Sequence, residues 1–279
     1  MRRLKSYFGG FCRYTKIYRK PLVTIWKVYT KKFPFVAKLK DGRSLDIPNH
    51  NFAWIVSFGL DVKYDKKMEI LYLNFRDHCL KFLGTEINGE IPEVFGQEDY
   101  GNLNYKDETV VDIGANIGDS SIYFAVMGAK KVIAIEPFPA SYSLLKSNIS
   151  LNEMESVIIP LNVAIGQNDG FVKLDSRINT TTGLGISSYD IGELVRITSL
   201  NKLVKEFDLR ESILKIDCEG CEYEVFNFIS AETLAQFKGL IIEYHSGVRE
   251  LYNNIKTLFD VKIVSKSGKT GLITGLRRS

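Results

Sequence analysis

The sequence has few cysteines and no long apolar run. Its four cysteines are scattered among 279 residues, at Cys12, Cys79, Cys218 and Cys221, and this spacing does not form a disulfide framework, which indicates a reducing compartment. No apolar run approaches the roughly 18 residues that a membrane-spanning helix requires. The apolar stretches near the N-terminus are too short and too interrupted for a signal peptide. The sequence therefore predicts an intracellular, cytoplasmic protein.

Acidic residues are absent from residues 1–40, which contain 12 Lys or Arg. This basic segment is open to three interpretations. It can be a solvated arm or the polar face of a soluble helix, or it can make peripheral contact with an anionic membrane, because aromatic side chains are interleaved with its charges. Nucleic-acid binding would rest on charge alone, since no base-reading motif accompanies the segment. We therefore expect no nucleic-acid partner for this chain.

The first hundred residues differ in pattern from the rest. Residues 33–48 alternate around an Asp-Gly pair at positions 41 and 42, which predicts a β-hairpin. Residues 68–83 carry apolar side chains near helical spacing, and this spacing predicts a helix. Residues 88–104 are rich in turn-forming residues and are predicted to be a linker or a lid.

From about residue 109 onward, apolar strands alternate with helical stretches. Five strands are predicted, at 109–113, 131–136, 156–161, 212–217 and 240–244, and three helices, at 119–128, 138–150 and 222–234. This alternation predicts an α/β fold with a Rossmann-like, doubly wound, mostly parallel sheet, which binds ligands at the carboxyl ends of its strands. We assign residues 106–279 to this domain and residues 1–105 to an N-terminal α+β extension. Residues 173–194, rich in Thr, Ser and Gly, form an insertion that either contacts substrate or merely covers the edge of the sheet.

A glycine-rich loop follows the first strand of this domain, in the stretch VVDIGANIGDSSIYF. A dinucleotide site would need glycine where Asn116 and Asp119 stand, and a P-loop would need Lys-Ser or Lys-Thr after Gly118. Asp112, at the end of the strand, would repel a phosphate and attract a cation. S-adenosylmethionine is a cationic nucleoside without phosphate, so we predict that Asp112, Gly114, Asn116 and Gly118 bind this cofactor.

The next two strand ends complete the predicted cofactor site. Glu136 lies 22 residues past Gly114, close to the spacing of about 20 that places an acid on a ribose. Its carboxylate can accept both ribose hydroxyls, and Pro137 closes the strand. The adenine ring is predicted to lie beside Asn162 and Ala164, after the third strand.

Charged residues crowd the end of the fourth strand, in the stretch ILKIDCEGCEYEVF. Lys215, Asp217 and Glu219 alternate and would point the same way along an extended strand. Because charge on a buried parallel strand is costly, they either pair with one another or line the pocket in which a methyl group is transferred. Asp217 is also assigned to the cofactor site.

The fifth strand ends in IIEYHSG, which places Glu243 and His245 on one face. Histidine is the natural proton acceptor near neutral pH. An acceptor hydroxyl would attack the methyl carbon in line with the sulfonium, and His245, Asp217 or Glu219 would take its proton. The alternative is a divalent metal held by these residues together with Glu243. We favour a site without metal.

Cys218 and Cys221 form a C-x-x-C motif in the turn after the fourth strand. A redox pair and half of a zinc site are alternatives for this motif. The sequence contains no second C-x-x-C. We therefore favour two small side chains packed at a tight turn.

These motifs together resemble the FkbM-type methyltransferases, a family of class I S-adenosylmethionine enzymes. VVDIGANIGDSSIYFA resembles the first motif of the family and VIAIEPFPASYSLLKSNI the second, and NVAIG, ITSLNKL, LKIDCEGCEYEV and IIEYH follow in the same order. The resemblance covers about residues 90–245. It departs at Asn201, where the family usually has Asp, and at the two cysteines, which replace the usual Val and Ala and so favour packing.

The resemblance implies O-methylation, commonly of a sugar or polyketide hydroxyl, with a glycan or other small molecule as the acceptor. The N-terminal hundred residues lie outside the matched motifs and would cap the site and select the substrate. The alternative is a binding module that has lost catalysis and acts through its basic N-terminus. Methylation of a nucleic acid or a protein is disfavoured, because Asp-Cys-Glu-Gly stands where N-methylating enzymes often carry an Asn/Asp-Pro-Pro-Tyr/Phe run. The sequence leaves the oligomeric state open.

Overall fold

The computed structural model of the chain describes residues 2–85, 90–175, 192–218, 220–267 and 269–278. The chain divides into two compact units, residues 1–98 and 99–279, whereas the boundary was predicted at residues 105 and 106. The described helices are α1 (Arg2–Ile17), α2 (Pro21–Tyr29), α3 (His50–Ser57), α4 (Asp119–Val126), α5 (Pro139–Leu151), α6 (Leu200–Phe207), α7 (Cys221–Phe228), α8 (Ala231–Leu234) and α9 (Arg249–Ile255). The described strands are β1 (Phe35–Lys38), β2 (Ser44–Ile47), β3 (Asp61–Asp65), β4 (Ile70–Phe75), β5 (His78–Phe82), β6 (Thr109–Ile113), β7 (Lys131–Ile135), β8 (Ile158–Leu161), β9 (Val163–Ile165), β10 (Gly170–Leu174), β11 (Glu193–Thr198), β12 (Ile213–Ile216), β13 (Gly239–Tyr244), β14 (Phe259–Ser267) and β15 (Thr270–Arg277).

The basic N-terminal segment forms two helices of the first unit. In α1, the rings of Tyr14 and Tyr18 are buried and stack at 5.1 Å, and the Tyr18 hydroxyl donates to the carbonyl of Ala53 in α3 at 2.8 Å. The guanidinium of Arg13 lies 4.4 Å from the centre of the Trp54 ring. The segment is therefore packed on α3 rather than free in solvent as an arm. No helix in the part of the chain that the structure describes is long and apolar enough to cross a membrane.

The predicted hairpin of the first unit is confirmed. β1 and β2 pair antiparallel, and Lys38 is the register partner of Ser44. Gly42 lies in the turn at φ +92°, a conformation that glycine adopts without the steric cost of a Cβ.

The predicted helix over residues 68–83 is wrong, because this stretch forms the strands β4 and β5 of a three-stranded antiparallel sheet with β3. In β4 the side chains of Leu71, Leu73 and Phe75 are all buried, as the two-residue period of a strand requires. Arg76 has a φ of +52° between the strands. On a short segment, apolar residues near helical spacing fit a pair of strands as well as a helix. The hydrogen-bonded pairing with neighbouring strands decides between these two structures.

The stretch predicted as a linker or lid contains a single turn of π-helix, Pro92–Gly96, in the first unit. Residues 88 and 89 lie outside the described part of the chain. In the second unit, Tyr100 and Tyr105 are buried. The Tyr105 ring packs against Phe124 of α4 at 4.9 Å between centroids. The end of this stretch therefore belongs to the core of the second unit.

The second unit contains the predicted doubly wound sheet. Its seven described strands follow the order β14-β15-β13-β12-β6-β7-β8. The five strands from β13 to β8 pair parallel, while β15 pairs antiparallel with both of its neighbours. Their buried aliphatic side chains, including Val111, Ile133, Leu214 and Ile242, join one core with the helices that cover the sheet. Rossmann-like α/β architecture is thus confirmed.

Two details of the second unit differ from the prediction. The helix predicted at 222–234 is divided into α7 and α8, because the Ser230 side chain accepts from the backbone N–H of Thr233 and begins a new helix. The two ends of the predicted insertion belong to strands β10 and β11 of a second sheet. In this sheet β10 pairs antiparallel with β11, and β11 pairs parallel with β9. Residues 176–191 of the insertion lie outside the described residues.

Candidate active site

The predicted site residues gather where the order of the main sheet reverses. From β6 the strands continue through β7 to β8 on one side, and from β12 through β13 on the other. Asp112 of β6 is the register partner of Lys215 of β12. A switch point of this kind leaves a crevice beyond the carboxyl ends of the two central strands, where doubly wound folds bind their ligands.

The glycine loop after β6 comes unusually close to the end of β12. Gly114 and Gly118 have φ values of +78° and +94°, and Asn116 between them has +46°. The backbone N–H of Gly114 donates to the carbonyl of Ile135 at 3.0 Å. A Cβ at Gly114 would lie 1.8 Å from the carbonyl oxygen of Asp217. Only glycine allows this approach of the two loops.

We expect Gly114→Ala to lower the free energy of unfolding by about 2–4 kcal/mol, because the methyl group overlaps backbone and the residue keeps a positive φ. Urea denaturation measures this loss. Gly170→Ala is the matched control, since no atom lies within 4 Å of the Cβ added there. Equal urea midpoints for the two variants would contradict the close approach of the loops.

Asp112 is fully buried and both of its carboxylate oxygens have neighbours. Oδ2 accepts from the hydroxyls of Ser120 and Ser121 at 2.7 and 2.6 Å, and Oδ1 lies 3.0 Å from Nζ of Lys215. Lys215, also buried, donates to the carbonyl of Gly114 at 2.9 Å. The structure therefore contains the Lys–carboxylate pair that the sequence left open as an alternative.

Asp217 lies between this buried cation and a histidine. Its Oδ2 accepts from the hydroxyl of Tyr100 at 3.1 Å and lies 3.9 Å from Nζ of Lys215. Its Oδ1 lies 3.9 Å from Nε2 of His245, just past the end of β13. Asp217 and His245 thus approach each other at the carboxyl ends of two neighbouring strands.

A buried carboxylate holds the other side of the histidine ring. Glu222, in the first turn of α7, accepts with Oε1 from the backbone N–H of His245 at 3.2 Å and lies 3.0 Å from its Nδ1. Its Oε2 accepts from the backbone N–H of Gly220 at 2.8 Å. The hydrogen bond at Nδ1 fixes the orientation of the imidazole and leaves Nε2 on the side of Asp217. Such an arrangement suits a general base.

Five side chains therefore form one row along the strand ends, which we call the charge row. Carboxylates alternate in it with a lysine and a histidine, in the order Asp112, Lys215, Asp217, His245 and Glu222. Three of its members, Lys215, Asp217 and His245, are predicted as catalytic from the sequence, whereas Glu222 has no predicted role. The sequence does contain a signal for Glu222, which is an acidic residue in the first helical turn after the fourth predicted strand.

Glu136 directly follows β7 and has a fully buried carboxylate. Its two oxygens accept from the backbone N–H groups of Asn116 and Phe138 at 2.9 and 2.8 Å. Burial raises the pKa of this carboxyl to about 7, and the two backbone hydrogen bonds oppose the rise. Each carboxylate oxygen has a further lone pair, so the group can still accept from two hydroxyls.

The predicted adenine-binding residues follow β8. The side-chain amide of Asn162 donates to the backbone carbonyls of Glu136 and Pro137 at 2.9 and 3.0 Å. It therefore fixes the chain after β7. Ala164 is buried in β9, the edge strand of the smaller sheet.

The other two predicted catalytic residues are Glu219 and Glu243. Glu219 lies outside the residues that the structure describes. Glu243 is half-buried in β13, with Leu272 of β15 as its register partner. Among the described residues, no group of three or more His, Cys, Asp or Glu side chains is arranged to hold a metal ion.

The packing interpretation of Cys218 and Cys221 is wrong, because the two sulfurs form a disulfide. A spacing of three residues at a turn brings their Cα atoms to 5.4 Å, within the range that a disulfide spans. The free cysteines Cys12 and Cys79 are exposed. The bond encloses Gly220, whose φ of +122° makes the sharp turn into α7.

Two further residues at the site had no role in the prediction. Asp119 begins α4 and is buried, and burial raises the pKa of its carboxyl to about 6 although Lys215 opposes the rise. Tyr100 was assigned to a linker, and no sequence pattern connects it with Asp217. In the sequence, Asp119 is interpreted only as a departure from the glycine pattern of a dinucleotide site.

The residues present fit S-adenosylmethionine in their chemistry. Four acids, Asp112, Asp119, Asp217 and Glu136, lie at or just after the carboxyl ends of β6, β7 and β12, and Lys215 is the cation that pairs with two of them. A net negative site of this kind favours a cationic ligand without phosphate. Glu136 supplies a buried acceptor at the strand end where a ribose is held in such folds.

Comparisons with known proteins match this part of the chain. A family profile for the methyltransferase FkbM domain matches residues 112–260. The tRNA (guanine(37)-N(1))-methyltransferase Trm5b of Methanocaldococcus jannaschii is 46% identical over 125 residues, which cover 42% of this chain and 36% of the relative. The tRNA(Phe) (4-demethylwyosine(37)-C(7)) aminocarboxypropyltransferase of Pyrococcus horikoshii is 46% identical over 57 residues, 20% of each chain. The chain thus spans well under half of the length of these relatives.

Among solved structures, TYW2 of M. jannaschii in complex with AdoMet is similar over 75% of this chain and 87% of that one, with a TM-score of 0.40 and 18% identity. The names of both sequence relatives contain tRNA. The expectation that no nucleic acid takes part is therefore wrong, because it rested on the absence of sequence motifs, and proteins named as tRNA-modifying enzymes match this chain all the same.

Proposed function

Because the chain belongs to the methyltransferase FkbM domain family, we propose that it transfers a methyl group from S-adenosylmethionine to a hydroxyl of a sugar, a glycan or another small molecule. It is an S-adenosylmethionine-dependent methyltransferase by family. The hydroxyl acceptor and the residue roles below are our proposals. The observation that carries them is the histidine held at Nδ1 by Glu222 and facing Asp217 with Nε2.

The cofactor would be held by the loop after β6 and by the ends of β7 and β12. Glu136 would accept the ribose hydroxyls, and Asn116 lies beside it through its backbone hydrogen bond. Gly114 and Gly118 give the loop its close backbone path, and Pro137, Asn162 and Ala164 would border the adenine. Asp112, Asp119 and Asp217 would supply the negative field for the cationic amino-acid end. When bound, S-adenosylmethionine supplies an activated methyl group on a sulfonium.

His245 would act as the general base. Its Nε2 would accept the proton of the acceptor hydroxyl, and the carboxylates of Glu222 and Asp217 on its two sides would stabilise the imidazolium that forms. Lys215 would hold the carboxylate of Asp217 in place from the side opposite the histidine. The Tyr100 hydroxyl, which donates to Asp217, would fix the direction of that carboxylate. Glu222 would thus be a positioning residue, since it acts through His245.

The acceptor can be found by incubating the protein with S-adenosylmethionine labelled in its methyl group and with separate fractions of glycans, lipids, small molecules and RNA. We expect the label to appear in a carbohydrate or small-molecule fraction. The labelled product should be stable to mild base, because the methyl group is held in an ether. Label in no fraction, or only on nitrogen or carbon of the product, would contradict O-methylation.

We expect His245→Ala to bind S-adenosylmethionine as the wild type does and to slow methyl transfer to that acceptor about 10²-fold or more, because a positioned base contributes about 10²–10⁴-fold. Calorimetry measures the binding and initial rates measure the transfer. His78→Ala, at an exposed histidine of the first unit, is the matched control. An unchanged rate in His245→Ala would exclude this histidine as the base.

RNA is a second candidate acceptor. Identity of 46% with two proteins named as tRNA-modifying enzymes favours it, although only 20% and 36% of their lengths are matched. The 12 Lys or Arg of residues 1–40 would favour a polyanion. Label in the RNA fraction alone would support this candidate and overturn the first.

A further inference from the structure

The turn between β12 and α7 contains the disulfide and lies between two members of the charge row, and the proposed mechanism does not connect the two. Cys218 and Cys221 are bonded to each other and half-buried. Asp217 immediately precedes this ring, and Glu222 immediately follows it. A change in the bond between the two sulfurs therefore acts directly between two members of the charge row.

Glu222 connects the disulfide ring with the histidine. One carboxylate oxygen accepts from the backbone N–H of Gly220, inside the ring, and the other contacts Nδ1 and the backbone N–H of His245. The hydroxyl of Tyr223, the next residue, also ties α7 to the chain after β13, since it accepts from the backbone N–H of Ser246 and donates to the carbonyl of Gly247, both at 2.8 Å. The ring, the start of α7 and His245 thus share one set of hydrogen bonds.

We propose that the Cys218–Cys221 pair is a reversible redox-modification site whose state sets how Glu222 holds His245. The inference rests on the proposed function only where it treats His245 as the base. The reductant is a dithiol: one of its thiolates attacks a sulfur of the protein disulfide, the S–S bond breaks, and a mixed disulfide forms. Its second thiolate then displaces the protein sulfur. The protein gains two electrons and two protons as two thiols, and the dithiol becomes a disulfide.

Reduction removes the covalent limit on the distance between the two Cα atoms, which is 5.4 Å in the bonded form. Gly220, at a φ of +122°, then no longer lies between two bonded cysteines, and we expect its N–H to be held less firmly on Glu222. A buried carboxylate with fewer donors interacts more strongly with the protonated form of its remaining partner. Among the described residues, the charged groups that face His245 include Glu222 from α7 and Asp217 from the end of β12, with Lys215 behind Asp217. Of these, the change falls on Glu222.

The chain has three histidines, so the titration of His245 can be followed by NMR of the imidazole nitrogens in ¹⁵N-labelled full-length protein. The protein is compared as isolated under oxidising conditions and after treatment with dithiothreitol under argon. Alkylation followed by mass measurement should count two reactive thiols before reduction and four after it, because Cys12 and Cys79 are free. We expect the midpoint of the His245 imidazole titration to rise by about 0.5 pH unit when the disulfide is reduced. His50 and His78, in the first unit, should not move.

Two variants test the route. Cys218→Ser with Cys221→Ser should titrate like the reduced protein with or without dithiothreitol, and Glu222→Gln should make the midpoint insensitive to dithiothreitol. The inference is overturned by equal midpoints in the two states of the wild type, which needs no variant to fold, or by a thiol count that stays at two. If the midpoint responds while His245→Ala still transfers methyl groups normally, the redox inference stands and the role of His245 as base fails.

Discussion

Replacing Lys215 with Met is expected to lower the free energy of unfolding by about 3–5 kcal/mol, which is the usual cost of removing one partner from a buried ion pair. The exposed fraction of the Lys215 side chain is 1% and that of Asp112 is 0%, so water cannot replace the lost ammonium group. Asp217, with 9% of its side chain exposed, would lose the same cation. Met fills a similar volume, and the effect is therefore one of charge rather than of a cavity.

Urea denaturation of the full chain measures this loss, with Lys202→Met as the matched control. Lys202 also pairs with an aspartate, Asp169, but both side chains are about half exposed, and surface pairs contribute about 0–1 kcal/mol. The double variant Lys215→Met with Asp112→Leu should regain part of the stability, because it removes the uncompensated carboxylate as well. If Lys215→Met unfolds at the same urea concentration as Lys202→Met, the pair contributes nothing to the fold.

Glu136→Ala is expected to weaken S-adenosylmethionine binding about 10³-fold or more, beyond the range of ordinary calorimetry. Two hydrogen bonds from ribose hydroxyls to a carboxylate contribute about 1.5–3 kcal/mol each. The variant also leaves the N–H groups of Asn116 and Phe138 without their acceptor, which loosens the glycine loop. Glu155→Ala, at an exposed acid of the same unit, should bind normally. Unchanged affinity in Glu136→Ala would remove this residue from the ribose.

The pH dependence of binding gives a second test of Glu136. Burial raises the pKa of its carboxyl from 4.5 to about 7. As the pH falls through 7 the folded protein takes up a proton there, and a protonated carboxyl no longer accepts from two hydroxyls. Affinity should therefore fall about tenfold between pH 8 and pH 6 in the wild type. The same group also makes folding less favourable as the pH rises from about 4.5 to about 7, because the folded chain holds a proton that the unfolded chain releases.

A flat binding curve between pH 6 and pH 8 would contradict a role for the ionised Glu136. Glu136→Gln separates this group from other titrations, because its amide does not ionise. We expect weak binding that does not change with pH in this variant. Asp119, with a pKa raised to about 6, would account for any dependence that remains below pH 7.

Much of the second unit could be predicted from the sequence. Each central strand is a short apolar run that ends at a charged or glycine residue, so the strand ends and the residues on them follow from the pattern alone. Asp112, Glu136, Asp217 and His245 were placed at strand ends in this way. Which strands are neighbours follows from the doubly wound topology, and it brings Asp112 opposite Lys215.

The features that the sequence did not predict depend on contacts between distant segments. Tyr100 reaches Asp217 across 117 positions of the chain, and no local pattern records such a contact. Glu222 is an ordinary acid on an amphipathic helix until its burial and its contact with His245 are known. The packing interpretation of the C-x-x-C pair rested on the lack of a second C-x-x-C and on the residues usual in the family, and neither of these reports whether the two sulfurs meet in space. In the first unit, residues 68–83 fit both a helix and two strands until the pairing with β3 is known.

The charge row bears on how the spent cofactor departs. It carries the three carboxylates of Asp112, Asp217 and Glu222 against the one ammonium group of Lys215. In the proposed reaction the bound nucleoside arrives with a sulfonium and leaves as neutral S-adenosylhomocysteine. The attraction between this row and its ligand therefore weakens with each transfer. The same charges that would recruit the donor would therefore hold the spent cofactor less strongly and would favour its exchange for a fresh molecule.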